Sequence, residues 1–234
     1  RGPGTGHMAV KNSLRLFFTA LAAPFPSASP VGGRFYYNRS AMPRKAPFLF
    51  LHLAPPNPPL YKEKRRFAVQ LGLTIPLQRY LRAPRPPAPS AAERLFCWDL
   101  HRILLRGEGS LLAVHCASRF AVVVFGLSAV DWASLDGVVP AQICRGLLDA
   151  DLPQAPVRAY LERCGPPCFT RTHGRREVAF LNRAWEDVMA CDFALDRALP
   201  GQPLLERAVN ALPRRCAGQE GLASSRERLL QLLV

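Results

Sequence analysis

From Phe120 to Phe125 the chain reads Phe-Ala-Val-Val-Val-Phe, with no polar position on either face. That pattern fits a strand covered on both sides, and so the central strand of a sheet. Two more segments of strand composition precede it, Leu95–Leu105 and Leu111–Cys116, separated by Arg-Gly-Glu-Gly-Ser. With Arg119–Leu127 they predict an antiparallel meander. Pairing Leu105 with Leu111 across a five-residue loop gathers Phe96, Trp98, Leu100, Leu112, Val114 and Cys116 on one apolar face. The same register sets His101 opposite His115 on the other face, with Asp99 two residues along. Two imidazoles and a carboxylate have metal-ligand chemistry, but no third firm ligand is evident, and a chance meeting of two histidines accounts for them without an ion.

Upstream, Val69, Leu71 and Leu73 alternate as a short strand, and Thr74 caps a helical turn carrying Pro76, Leu77, Tyr80 and Leu81. The four prolines of Arg82–Ala92 predict a loop. After the meander the period lengthens to that of helices: a short one at Asp131–Leu135, one burying Val139, Ile143, Leu147 and Leu148, and one opened by Pro153 or Pro156 that buries Val157, Tyr160 and Leu161. Phe169–Thr172 reads as a strand. Gly174 leads into the clearest helix, with Val178, Leu181, Trp185, Val188 and Met189 on one face. Weaker helical patterns follow at Leu204–Leu212 and Arg226–Leu233. The whole predicts an α+β domain over residues 67–192, a mostly antiparallel sheet packed by helices, followed by a helical tail over 193–234.

Charge divides the chain differently. Residues 1–92 hold 14 Lys and Arg against the single acid Glu63, whereas residues 93–234 hold 17 Arg against 16 acids. Fifteen of the 23 prolines and all four lysines also precede residue 93. Residues 1–66 are therefore expected to be a disordered, Pro-rich basic extension. Lys11 and Arg15 ahead of Leu16–Ala23 mimic a signal peptide, but the apolar run is short and interrupted by Thr19. No stretch approaches the roughly 20 apolar residues of a transmembrane helix. The seven cysteines are odd in number and irregular in spacing, which suits a reducing, cytoplasmic setting better than a disulfide framework. Cys164-Gly-Pro-Pro-Cys168 lacks a second pair to answer it; His173 and Cys191 complete four ligands only on paper, and small buried thiols beside a Pro-Pro turn are the simpler reading.

Three runs, Phe96-Cys-Trp-Asp-Leu-His-Arg102, Ser118-Arg-Phe-Ala-Val-Val-Val-Phe-Gly-Leu127 and Phe169 through Trp185, resemble a small bacterial family known only as a domain of unknown function. The similarity spans about residues 67–192. It implies an α+β fold unit and lends no catalytic residue. Members often have His after the strand tryptophan, where this chain has Asp99, and the extension before Phe67 has no counterpart in the family.

The usual nucleotide-binding, hydrolase and metalloprotease motifs are absent from the sequence. Cys116 and His115, as neighbours on a strand, point to opposite faces and cannot act together. The acidic pairs Asp149/Asp151 and Glu186/Asp187 are expected on helix ends or solvated faces. One segment carries a sharper signal: Thr172, His173, Gly174, Arg175 and Arg176, where a strand ends and the best helix begins. Two arginines in a helix's first turn oppose its dipole, and a bound anion relieves that conflict where Gly174 lets backbone approach. Pairing of these arginines with Glu177 or Glu162 needs no ligand. The sequence thus points to a binding or interaction domain rather than an enzyme, without cofactor, catalytic residue or metal site. The alternative is a protein acting on a phosphorylated or anionic small molecule through Thr170–Arg176. Its partner is another protein or an anionic ligand, with nucleic acid open to the basic runs Arg39–Lys45 and Lys62–Arg66.

Overall fold

A computed structural model describes residues 66–90, 93–216 and 219–234. The disorder expected over 1–66, the signal-like segment and the basic runs, apart from Arg66, lie outside the described residues. Within them the order is β1 (Phe67–Leu73), α1 (Ile75–Tyr80), β2 (Cys97–Leu105), β3 (Glu108–His115), β4 (Ala121–Val124), α2 (Ala129–Ala133), α3 (Leu135–Leu148), α4 (Gln154–Arg163), β5 (Cys164–Arg171), α5 (Arg175–Ala190), α6 (Pro203–Ala211), β6 (Pro213–Arg215), β7 (Leu222–Ser224) and α7 (Ser225–Leu233). No helix among the described residues is long and apolar enough to cross a membrane.

The fold is α+β, but its sheet is mixed rather than mostly antiparallel. Strands run in the order β4-β3-β2-β1-β5. β2, β3 and β4 form the meander, while β1 lies parallel to both β2 and β5. Long connections make this possible: α1 and a Pro-rich loop separate β1 from β2, and three helices separate β4 from β5. Alternation along a strand reveals its faces, not the direction of its neighbours. Pro166 and Pro167, expected in a turn, sit inside β5. As an edge strand it can spare their missing N–H groups.

The β2–β3 hairpin also differs from the expected register. Leu105 pairs with Glu108, not Leu111, because Arg106 (φ 49°) and Gly107 (φ 87°) form a two-residue turn with both φ positive. The slip of three residues reverses β3's faces relative to β2. His115 now stands opposite Trp98 and His101 opposite Leu112, so the two histidines occupy opposite faces. Each has its own partners. His115 is fully buried, Nε2–H donates to the Leu95 carbonyl (2.9 Å) and Nδ1 accepts from Ser118 (2.8 Å). Burial lowers its pKa to about 4, so it is a neutral core histidine. His101 meets Thr74 Oγ1 at 2.9 Å and the edge of Trp185.

The sheet is covered on both faces. One apolar cluster joins Leu71, Leu73, Trp98, Leu100, Ala113 and Val122 to residues of α1 to α4, and to Leu229 of α7. The other joins Ile103, Leu112, Val114 and Val123 to Phe180, Leu181 and Val188 of α5 and to Leu205 and Val209 of α6. The segment 193–234, expected as a tail, thus contributes to both clusters. β4 is doubly covered, as its composition demands, yet it is an edge strand rather than the central one. Side chains of α6 take the place of a further strand. Asn210 accepts from the Ala121 N–H and donates to its carbonyl, both at 2.8 Å, and Glu206 accepts from the Val123 N–H at 2.8 Å. The exposed row of backbone groups that makes edges liable to aggregate is thereby filled.

Candidate functional site

Helix α5 organises the polar chemistry. Its N-cap is Gly174 at φ 143°, and its buried face comprises Glu177, Phe180, Leu181, Ala184, Asp187 and Val188. Of the five residues expected on that face, Trp185 and Met189 are instead exposed. Two carboxylates occupy the stripe, and arginines from elsewhere make this tolerable. Glu177 pairs with Arg94 and, at 2.9 Å, with Arg176. Asp187, expected on a solvated face, is buried and receives Arg214 Nη2 at 2.6 Å and Arg119 Nη2 at 3.8 Å.

These pairs divide the candidate anion segment. His173 turns inward, where its Nδ1 meets Asp99 Oδ1 at 2.6 Å. Arg176 is taken by Glu177 and lies near the Phe180 ring. Thr172, Gly174 and Arg175 remain outside, lining an open hollow of about 470 Å³ with Val178, Ala179 and Asn182. Asn182, two turns along α5, shares the hollow.

A second hollow of similar volume, about 470 Å³, meets the first at Ala179 and is lined by Arg119, Phe180, Arg183, Arg214 and Arg215. Its arginines come from separate elements: Arg119 from the β3–β4 turn, Arg183 from α5, Arg214 and Arg215 from β6. Arg119 is the unusual one. It holds a positive φ of 66° and is only 5% exposed. Nη1 reaches the Arg215 carbonyl at 3.4 Å, and Nε has no hydrogen-bond partner among the described residues. Burial lowers its pKa, and Asp187 acts against that shift; a guanidinium nonetheless stays charged. Arg183 is bound to Glu186 at 2.6 Å. The cleft therefore presents four guanidiniums against the carboxylates of Asp187 and Glu186.

The family model described as Domain of unknown function (DUF6933) matches residues 70–227. The chain belongs to this family. The DUF6933 match begins within β1 and runs into α7, past the point near residue 192 where the resemblance in sequence fades. The chain matches no curated protein and no solved structure.

Sequence reasoning missed the arginine cleft because its members lie up to 96 positions apart, Arg119 from Arg215. The one local signal was an Arg-Arg pair at 214–215 within an otherwise apolar stretch. All seven cysteines are free thiols, six of them buried, and Cys164, Cys168, His173 and Cys191 do not converge.

Proposed function

We propose that this DUF6933 domain binds an anionic, phosphate-bearing small molecule in the cleft of Arg119, Arg183, Arg214 and Arg215. The observation that carries the reading is Arg119, a buried guanidinium lining a hollow with an unsatisfied Nε. Leaving a buried donor of a charged group unpaired costs about 1–3 kcal/mol, and an anion in the hollow adds a charge-assisted partner for this guanidinium. The adjoining hollow lengthens the site, with Thr172, Gly174 and Arg175 of the segment singled out from sequence as its outer rim. Convergence of polar groups from three separate elements favours a ligand site over a flat docking face.

The other reading, a module that docks a protein, draws on Trp185, Met189 and Phe193, large apolar side chains exposed along consecutive turns. Calorimetric titration of the full chain with inorganic pyrophosphate and ATP separates the two. Saturable binding that weakens with salt, and about tenfold in Arg215→Ala, supports the ligand site. Arg119→Met keeps the apolar stem and is expected to weaken binding at least as much. Absence of binding at millimolar concentration of either anion overturns the reading.

A further inference from the structure

Beside the arginine cleft, where β3 ends at His115 shortly before Arg119, lies a cluster whose side chains line neither hollow. Gln70 and Gly72 of β1 stand beside Cys97 and Asp99 of β2, and the Cys116 N–H donates to the Cys97 carbonyl at 2.9 Å, which places these two cysteines as cross-strand neighbours. His173 enters from the β5–α5 loop. One ligating atom each of Asp99, Cys116 and His173 lies within 4.8 Å of the others; the Cys97 thiol lies near the His173 ring but outside that group, donating to the Glu93 carbonyl at 3.6 Å. Both thiols are 1% exposed, and the imidazole is 5% exposed.

Asp99 is fully engaged with His173: Oδ1 takes Nδ1 at 2.6 Å, and the carboxylate also receives the His173 backbone N–H at 3.3 Å. The ring is thereby fixed with Nε2 directed away from Asp99, and Nε2 is buried without a hydrogen-bond partner among the described residues. A carboxylate on one ring nitrogen and a free second nitrogen is the arrangement found behind metal-bound histidines. Gly72 makes room for it, since a Cβ there would lie 2.0 Å from Asp99 Oδ1 and 3.0 Å from His173 Nδ1.

A thiol nucleophile assisted by His173 is the rival use of these groups. It requires substrate to reach Cys116, which is only 1% exposed. A single ion needs no such opening. We propose that Cys116 and His173 Nε2, joined by Cys97 when its thiol turns from the Glu93 carbonyl, bind a zinc-class divalent ion, with Asp99 as the positioning residue that holds the imidazole. Two sulfurs and one nitrogen suit Zn²⁺ and disfavour Mg²⁺ or Ca²⁺. Binding releases three protons, one from each thiol and one from Nε2 of the Asp99-paired imidazolium, and leaves Nε2 ligated instead of orphaned. The three protein ligands leave a fourth position open. None of its ligands is among the residues lining either hollow.

The test uses the full chain, stripped with chelator and titrated with Co²⁺ and then Zn²⁺. Thiolate-to-cobalt charge-transfer absorption saturating at one ion per chain and displaced by Zn²⁺ is expected. Long-range ¹H–¹⁵N spectra of the wild type should show the His173 Nε2 resonance move on adding Zn²⁺, a readout that requires no variant. Cys116→Ser and His173→Gln should abolish the absorption, Asp99→Asn should weaken binding about 10- to 100-fold, and Cys144→Ala, a buried thiol elsewhere, should leave it unchanged. A wild type without charge-transfer absorption, an unmoved His173 Nε2, or absorption retained in Cys116→Ser overturns the site.

Discussion

At the scale of single residues, two positions carry consequences out of proportion to their size. Gly72 is extended and could hold any side chain by its backbone conformation, yet its missing Cβ is what admits the Asp99–His173 pair. Gly72→Ala must displace a buried carboxylate, and overpacking of this kind costs about 1–3 kcal/mol. Urea unfolding should show that loss, with the His173 ring resonances moved from their wild-type positions. Glu206 is the second. Burial raises its pKa to about 7, with Arg145 and the Val123 N–H acting against the shift. Arg145 Nη2 and the Val123 N–H both reach Oε1, while Oε2 is buried and unpartnered. The folded pKa lies above the ordinary 4.5, so the native state holds this proton more tightly than the unfolded chain does. Its contribution to stability is complete below about pH 4.5 and is lost as pH rises through about 7. Glu206→Gln removes that dependence. The stability of the variant minus that of the wild type should therefore climb with pH across this window, by up to about 3 kcal/mol, and level off above it. A difference that stays flat from pH 4.5 to 8 contradicts the assignment.

At the scale of elements, most helices and strands were legible because period and burial agree. Val139, Ile143 and Leu147 face the core as their spacing predicts. What the sequence concealed was geometry set by turns and by distant charges. Arg106-Gly107 was read as part of a loose loop, but a left-handed pair tightens it into a two-residue turn, and the resulting slip moves Cys116 from the Trp98 face to the face of Asp99. That single change brings Cys116 to His173, an encounter that no local spacing encodes. In α5 the buried stripe includes Glu177 and Asp187, and a pattern search that counts only apolar positions rotates the helix toward Trp185 and Met189. Apart from Arg176 beside Glu177, the arginines that neutralise the two acids, Arg94, Arg119 and Arg214, come from distant parts of the chain, so no local pattern marks these acids as buried. The start of α7, read only as a weak helical pattern at Arg226–Leu233, carries a cap that its sequence spells out. Ser224 accepts from the Glu227 N–H at 3.1 Å while Glu227 accepts from the Ser224 N–H at 2.7 Å, a capping box that starts α7. Ser224→Ala should cost about 1 kcal/mol, seen as faster amide hydrogen exchange in α7 with little change in β2 and β3.

At the scale of the whole molecule, the open question is where the folding unit ends. The resemblance in sequence suggested a boundary near residue 192, but the segment beyond it does three things for the body of the protein. Leu205 and Val209 enter one apolar cluster and Leu229 the other. Glu206 and Asn210 satisfy the edge of β4. Arg214 and Arg215 form a wall of the arginine cleft, held in place by buried Arg228, whose Nη2 donates to the Arg214 carbonyl at 2.9 Å. Burial of each large apolar side chain contributes about 1.5–3 kcal/mol, so losing three of them approaches the 5–15 kcal/mol that holds a typical domain together. A chain ending at residue 192 would also expose the unpaired N–H groups of β4. A fragment of residues 67–234 is therefore expected to unfold in one cooperative calorimetric transition. A fragment of residues 67–192 is expected to lack that transition, bind a hydrophobic dye and aggregate. Equal melting temperatures for the two fragments would show instead that the last 42 residues are an appendage, and the arginine cleft would then have to be assembled from a mobile wall.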